Sequence, residues 1–114
     1  RLVRRVCEKC FEEHPITDDE RHVLGLGSEE PVLVRRGAGC EDCGQTGYRG
    51  RVGLYELLIL DDGVRYHITN GADANVIREE AIRSGMKTLR TDAIEKLKLG
   101  LTTPEEIVRV TRAI

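Results

Sequence analysis

The sequence predicts an α+β fold in which a small tetracysteine module with short strands is followed by a helical subdomain. Two observations support this prediction. The four cysteines form two Cys-x-x-Cys pairs, both in the first half of the chain, and four helix signatures fill the second half. The two kinds of pattern meet near Leu60. We therefore predict a metal-binding subdomain at residues 1–60 and a C-terminal helical subdomain at residues 61–114.

The cysteine pairs are Cys7/Cys10 and Cys40/Cys43, and no cysteine is left over. Four thiolates complete the tetrahedral shell of a structural Zn²⁺ ion, so these residues are the predicted ligands of one zinc. Residues 11–39 separate the pairs, a segment longer than the roughly 15–20 residues of a usual zinc ribbon. Two redox-active pairs and four buried thiols remain alternative interpretations.

Composition and charge bound the functional classes. Lys and Arg number 18 against 20 for Asp and Glu, giving a net charge of -2 with both signs interspersed. A protein that tracks phosphates needs clustered cations, so nucleic-acid binding is not favoured. We expect Arg4, Arg5 or Lys9 to offset the charge of a tetrathiolate zinc site instead. No apolar run approaches the ~20 residues of a membrane-spanning helix.

In the first half, Thr17 and Glu20 have the spacing of a capping box, which predicts a short helix through Leu26 that ends at Gly27. Residues 31–36 read as a strand that leads to the second cysteine pair, and residues 51–58 as a strand that leaves it. The glycines near the second pair permit the positive φ angles of tight turns. They are Gly37, Gly39, Gly44, Gly47, Gly50 and Gly53.

Four helices are predicted in the second half from their caps. Asp61 or Asp62 begins the first, which runs through Ile68, and Asp73 begins the second, which ends at Gly85. The third starts at Thr88 and stops at Gly100, and the fourth has a capping box with Pro at its first position. That box is Thr103-Pro104-Glu105-Glu106.

The apolar stripes of these helices are expected to pack inward as the core of a small bundle. The alternative is that they form a partner surface on a larger body, since four short helices with few aromatic residues bury little area alone. The predicted stripes are Val76, Ile77, Ala81 and Ile82; Leu89, Ala93, Ile94 and Leu97; and Ile107, Val108, Val110 and Thr111.

Catalytic signatures are scarce. The sequence contains no Gly-x-x-x-x-Gly-Lys-[Ser/Thr] phosphate loop. His14, His22 and His67 lack the His-x-x-x-His spacing of a metalloenzyme and read as exposed side chains. The acid pairs Glu79-Glu80 and Glu105-Glu106 read as helix-surface charge. Four cysteines would close the shell of a metal, which indicates a structural and not a catalytic site.

Several ordered motifs resemble one family. They are Arg1-Leu2-Val3-Arg4-Arg5-Val6-Cys7-x-x-Cys10; Gly39-Cys40-x-x-Cys43-x-x-Thr46-Gly47-Tyr48-x-Gly50-Arg51-x-Gly53-Leu54-Tyr55-Glu56-Leu57-Leu58; Gly85-Met86-x-Thr88-Leu89-x-x-Asp92; and Gly100-x-Thr102-Thr103-x-Glu105-Glu106-Ile107-x-Arg109-Val110-Thr111. In this order they resemble the C-terminal zinc-containing region of the ATPases that drive type II secretion and type IV pilus assembly. Ala93 departs from the pattern, because that family often has glycine there; alanine favours the helix.

The resemblance implies that the chain is the non-catalytic end of a hexameric cytoplasmic motor at the inner face of the bacterial inner membrane. It implies Cys7, Cys10, Cys40 and Cys43 as ligands of one structural zinc. ATP and Mg²⁺ would bind only in a part of the parent protein outside this sequence. The implied partners are the ATPase core of the same parent chain and an inner-membrane platform or cytoplasmic anchor protein.

The alternative is an autonomous zinc-ribbon adaptor that binds nucleic acid or protein. The segment from Cys40 to Gly47 is faintly similar to the cysteine repeats of DnaJ-type chaperones. Those repeats place glycine two residues after the second cysteine, where this sequence has Gln45.

Overall fold

We describe the fold from a computed structural model in which residues 1–27 and 30–111 are described. Its elements confirm the α+β class. In chain order they are β1 (Leu2–Val6), β2 (Phe11–Pro15), α1 (Asp18–Leu24), β3 (Leu33–Gly37), a 3-10 turn (Glu41–Cys43), β4 (Tyr48–Gly53), α2 (Asp62–Thr69), α3 (Ala74–Arg83), α4 (Leu89–Lys98) and α5 (Pro104–Thr111).

Two antiparallel strand pairs carry the cysteine turns. β1 pairs with β4, with Leu2 opposite Gly53 and Val6 opposite Tyr48, and β2 pairs with β3. An irregularity in β1 between Arg4 and Val6 turns the backbone toward the loop before α5, where the Val6 N–H donates to the Leu101 carbonyl at 2.9 Å. The β1–β4 ladder therefore joins the N-terminal half of the chain to its last helix.

The helix caps form where the sequence predicts them. The Thr17 hydroxyl accepts from the Glu20 N–H, and the Glu20 carboxylate accepts from the Thr17 N–H, which completes the capping box of α1. Asp61, Asp73 and Thr88 cap α2, α3 and α4. Helix α1 ends earlier than predicted, because Gly25 and not Gly27 adopts the left-handed C-cap conformation.

The main core combines both halves of the sequence. Aliphatic side chains from β1, α1 and β3 pack with those of α4 and α5, while α2 and α3 pack on each other. The core residues are Val3, Ile16, Leu24, Val32, Val34, Leu54, Ala93, Leu97, Ile107 and Val110. The division at residue 60 stays a prediction, and residues 112–114 of its second part lie outside the described residues.

Glu106 corrects one sequence interpretation. Its side chain is 1 % exposed and is not helix-surface charge. The carboxylate accepts from the Arg4 backbone N–H at 2.7 Å, from the Arg4 guanidinium at 3.0 Å and from Arg109 at 2.9 Å. The hydroxyl of Thr103 accepts from the Glu106 N–H, so that half of the predicted capping box forms. Glu106 thus ties α5 to β1 through a buried carboxylate that pairs with two half-exposed arginines.

Two further expectations are wrong. The predicted strand over residues 51–58 ends at Gly53, and residues 54–60 have no regular secondary structure. The predicted inward stripe of α3 is largely open, because Val76 is 38 % exposed and Ile82 is 43 % exposed, and only Ala81 is buried in that helix. Among the described residues, no helix has both the length and the apolar character required to span a membrane.

Candidate metal centre

The four cysteines lie together at one end of the β1–β4 ladder. Cys7 directly follows β1, and Cys43 closes the 3-10 turn that precedes β4. The β2–β3 pair brings Cys10 next to the segment that leads to Cys40. The Ala38 N–H, just after β3, donates to the carbonyl of Cys10, just before β2. Two residue pairs separated by residues 11–39 in sequence are thereby brought into one cluster, as the sequence predicts.

The spacing of the sulfur atoms suits a tetrahedral metal ion. All four Sγ atoms lie within 4.8 Å of one another, with Cys7–Cys40 and Cys40–Cys43 at 3.7 Å and Cys10–Cys43 at 3.8 Å. Four bonds of ~2.3 Å to a tetrahedral centre give sulfur–sulfur edges of about 3.8 Å. The donor set and its dimensions therefore fit a divalent ion held by four thiolates.

Backbone N–H groups point at the sulfurs. Cys43 accepts from the N–H groups of Cys40 and Gly47, both at 3.2 Å. Cys10 accepts from Gly39 at 3.3 Å, and Cys7 accepts from Lys9 at 3.4 Å. Such donors stabilise thiolate charge and orient the ligands around a metal.

Two glycines are required by close backbone packing next to the cluster. A Cβ atom added to Gly37 would lie 2.1 Å from the Gly47 carbonyl oxygen, and one added to Gly47 would lie 2.5 Å from the Gly37 oxygen. Gly47 also has a φ of +82°, which disfavours residues with a side chain. This contact fixes the end of β3 against the segment that carries Cys43 into β4.

The thiols differ in acidity. Burial raises the pKa of Cys10 to about 12, and the neighbouring thiols contribute to the increase. Burial also raises the pKa of Cys43, but the N–H groups of Cys40 and Gly47 outweigh it and lower the pKa to about 6. Thiolates less than 4 Å apart repel one another, so a cation at their centre is what would allow all four to ionise.

The basic residues near the cluster have varied roles. Arg4 does not serve the cysteines as predicted, because it pairs with Glu106 and lies 4.2 Å over the Tyr48 ring. Arg5 pairs with Glu8 at 3.2 Å. Lys9 contributes its backbone N–H to Cys7. For Arg5 and Lys9 the predicted charge compensation stays a prediction, and the observed donors to the sulfurs are backbone N–H groups.

The remaining predicted polar residues lie elsewhere. In the described part of the chain, the four cysteines are the one cluster of potential metal ligands, and it contains no histidine. His22 is exposed, whereas His14 and His67 are half-buried beside Glu20 and Glu80. The four sulfur donors lie between chain turns and could hold a metal ion there.

Comparison with known proteins identifies similar sequences over almost the whole chain. A model of the family described as "Type II/IV secretion system protein" matches residues 1–109. A type IV pilus assembly ATPase PilB from Thermus thermophilus is 47 % identical over 113 residues, covering 97 % of this chain and 13 % of the relative. A type II secretion system protein E from Aeromonas hydrophila is 42 % identical over 112 residues, covering 98 % and 22 %.

A type II secretion system ATPase E from Vibrio cholerae is 36 % identical over 112 residues, again covering 98 % of this chain and 22 % of the relative. The chain thus spans about an eighth to a fifth of the length of these relatives.

Proposed function

Because this chain belongs to the type II/IV secretion system protein family, we propose that it is the non-catalytic, zinc-binding part of a longer ATPase. That parent protein powers type II protein secretion or type IV pilus assembly. The observation that carries the proposal is the cluster of four cysteine sulfurs, all within 4.8 Å and with three of their six separations at 3.7–3.8 Å, inside a sequence that matches the family over residues 1–109.

Cys7, Cys10, Cys40 and Cys43 would hold one Zn²⁺. Four sulfur donors favour a soft or borderline ion over Mg²⁺ or Ca²⁺, and the sulfur edges suit bonds of ~2.3 Å. Zinc bound by four cysteines supplies structural cross-linking and no open coordination position for chemistry. The backbone donors at Cys40 and Gly47 then hold the ligand Cys43 in place.

The low burial of the second cysteine turn supports a structural role for the metal. The segment from Cys40 to Gly47 is glycine-rich, and within it only Cys43 and Gly47 are buried. A metal that joins this segment to Cys7 and Cys10 would cross-link the two turns into one rigid protrusion at the end of the β1–β4 ladder. A rigid protrusion can transmit force or present a fixed docking surface.

The rest of the proposal concerns the parent protein. ATP and Mg²⁺ would bind in its ATPase core, since this sequence has no phosphate loop. The parent would act as a homohexamer in the cytoplasm, at the inner face of the inner membrane. The exposed residues between the cysteines of each pair would contact an inner-membrane platform or a cytoplasmic anchor protein. These residues are Glu8, Lys9, Glu41 and Asp42.

The metal is tested by mass spectrometry on protein purified without added metal. We expect one zinc per chain, released by a chelator and accompanied by structural loss in the first half of the sequence. Iron in place of zinc would be consistent with a tetrathiolate site but would contradict the zinc assignment. A folded chain without metal would instead favour redox-active or buried structural cysteines.

The docking role is tested in the full-length parent with charge reversals of Glu8 and Asp42, which are exposed and are not ligands. We expect at least tenfold weaker binding to the platform or anchor protein, with one zinc per chain retained. Asp62, exposed on α2, provides a charge-matched control. Unchanged partner binding and secretion with zinc still bound would contradict this role.

The alternative of an autonomous nucleic-acid adaptor has less support, because the family match extends through the helices to residue 109. A salt-dependent affinity of the chain for DNA or RNA would favour that alternative.

A further inference from the structure

The segment Thr46-Gly47-Tyr48 joins the second cysteine turn to β4, and none of its residues is a predicted metal ligand. Its central residue contacts both cysteine pairs. The Gly47 N–H donates to the Cys43 sulfur at 3.2 Å, and the Gly47 carbonyl accepts from the Cys7 N–H at 3.0 Å. The orientation of this one backbone residue therefore affects a predicted ligand from each pair.

Gly47 does not hold this orientation by itself. It has no side chain, and at a φ of +82° its backbone lies in a region that glycine enters and leaves at little cost. Contact with Gly37 restricts it on one side. The two flanking residues, Thr46 and Tyr48, supply the side chains that can hold the turn where it reaches both cysteines.

The Thr46 hydroxyl closes the turn through contacts with the backbone. It accepts from the Tyr48 N–H at 3.1 Å and donates to the Cys43 carbonyl at 2.7 Å, and the Tyr48 carbonyl is also within reach at 2.9 Å. One oxygen thus links the predicted ligand Cys43 to the first residue of β4, across Gly47. Threonine hydroxyls that bind nearby backbone groups in this way stabilise turns.

Tyr48 anchors the other end of the segment to the body of the fold. Its hydroxyl is hydrogen-bonded to the Thr103 hydroxyl at 2.7 Å, and the guanidinium of Arg4 lies 4.2 Å from the centre of its ring. Thr103 is buried and also accepts from the Glu106 N–H at the start of α5. Because its partner is itself fixed, this hydrogen bond holds the tyrosine, and with it the beginning of β4.

We infer that Thr46 and Tyr48 are positioning residues for the metal centre. Thr46 keeps the Cys43 turn closed, Tyr48 anchors that turn to α5, and together they orient Gly47 toward Cys43 and Cys7. Neither side chain would contact the ion itself. Groups that orient metal ligands from outside typically change metal affinity by about 10–100-fold when they are lost. The inference rests on the proposed function, because it takes the four cysteines to hold Zn²⁺.

The first test is the zinc affinity of Thr46→Val, which keeps the shape of the side chain and removes its hydroxyl. Competition with a chromophoric chelator measures this affinity. We expect it to fall by about tenfold or more, because Cys43 is no longer linked to β4. Thr46→Ser retains the hydroxyl and should keep the wild-type affinity. Thr69→Val, at an exposed position at the end of α2, is the matched control and should also leave the affinity unchanged.

Tyr48→Phe is a second variant, which keeps the ring and its contact with Arg4. Loss of the hydrogen bond to Thr103 should weaken zinc binding, by a smaller factor than Thr46→Val, because the backbone contacts of Gly47 remain. Tyr66→Phe, at an exposed position on α2, is its control and should have no effect. Equal zinc affinities in Tyr48→Phe and this control would reject the anchoring role of Tyr48.

The d–d absorption of the Co²⁺-substituted protein separates positioning from simple stabilisation of the fold. A displaced Cys43 should distort the tetrahedral thiolate site and shift these bands in Thr46→Val, whereas the bands of Thr46→Ser should match those of the wild type. Amide exchange around Leu97 in α4 should be the same in both variants, because the aliphatic core does not depend on Thr46.

Zinc content distinguishes failure of this inference from failure of the proposed function. Zinc-loaded wild-type protein, with unchanged affinity and unchanged Co²⁺ bands in Thr46→Val, would overturn the inference and leave the metal assignment intact. If Thr46→Val does not fold, the affinity of Tyr48→Phe decides the outcome in the same way. Wild-type protein without zinc would reject the metal assignment and the positioning role with it.

Discussion

The cysteine end and the helical end of this molecule are held together by different forces. Around the cysteines, sulfur atoms within 4.8 Å of one another, backbone N–H donors and close glycine packing define the structure. At the other end, aliphatic side chains such as Leu97 and Ile107 are fully buried, and the carboxylate of Glu106 is buried among arginines. The stability of the first region should depend on a metal, whereas that of the second should depend on packing.

The largest effect is expected from removal of one predicted ligand. Cys43→Ser should abolish stoichiometric zinc binding, because the oxygen replaces a sulfur that accepts two backbone N–H groups and contacts two other thiols. Metal content by mass spectrometry measures this loss. Asp42→Asn, at the exposed neighbour of Cys43, should retain one zinc per chain; equal retention by both variants would contradict the site.

A core truncation should affect the other end. Ile107 is 0 % exposed, so Ile107→Ala should lower the free energy of unfolding by about 2–5 kcal/mol, measured by chemical denaturation. Zinc content should stay at one per chain when the variant is folded. Leu99→Ala changes a side chain that is 66 % exposed and should cost less than about 0.5 kcal/mol. Similar losses in the two variants would show that the assigned core is wrong.

A smaller loss is expected from Glu106→Gln, about 1–3 kcal/mol, because the arginine partners lose their charged acceptor. Burial raises the pKa of Glu106, but hydrogen bonds from Arg109 and Arg4 outweigh it and lower the pKa from 4.5 to about 2. The ionised carboxylate therefore stabilises the fold above about pH 4.5, and this contribution is lost as the pH falls toward about 2.

Denaturation at several pH values measures the Glu106 effect. The difference in unfolding free energy between the wild type and Glu106→Gln should be largest near neutral pH. It should shrink as the pH falls from about 4.5 to about 2. Glu79→Gln, at an exposed position on α3, is the control and should change the unfolding free energy little. A difference independent of pH would indicate that the Glu106 charge does not stabilise α5.

The smallest effect is expected at the capping box of α1. Thr17→Ala removes the acceptor for the Glu20 N–H and should cost about 1 kcal/mol, measured by thermal or chemical denaturation. Thr17→Ser preserves that acceptor and should recover most of the loss. Because α1 packs on α5, neither variant should change the metal content. Reduced zinc binding in Thr17→Ala would show that the two ends are coupled.

The features that the sequence predicted well are local. A capping residue such as Thr17 contacts an N–H group three positions away, so its role can be inferred without knowing the rest of the fold. The convergence of Cys7 and Cys10 with Cys40 and Cys43 is non-local, but a single ion with four donors requires it. The metal assignment itself stays a prediction.

The errors concern contacts between distant segments. Glu105 and Glu106 look alike in the first turn of α5, yet only Glu106 meets Arg4 across the fold. Glu106 lies one turn before Val110 on the apolar face of α5. This position in the sequence could have predicted that its side chain is buried.

The apolar run after Gly53 has strand-like composition. A strand requires a partner, however, and no described strand pairs with residues 55–60. In the described part of the chain this run is exposed, with Tyr55, Leu57 and Ile59 at 74 %, 72 % and 69 %.

The contrast between the two ends is tested most directly by hydrogen exchange of the intact chain before and after addition of a chelator. Removal of the metal should increase exchange in residues 7–10 and 37–47, while the amides of α4 and α5 around Leu97 and Ile107 remain protected. Unchanged exchange around the cysteines, or an equal increase across the whole chain, would contradict a metal-held end joined to a separately packed core.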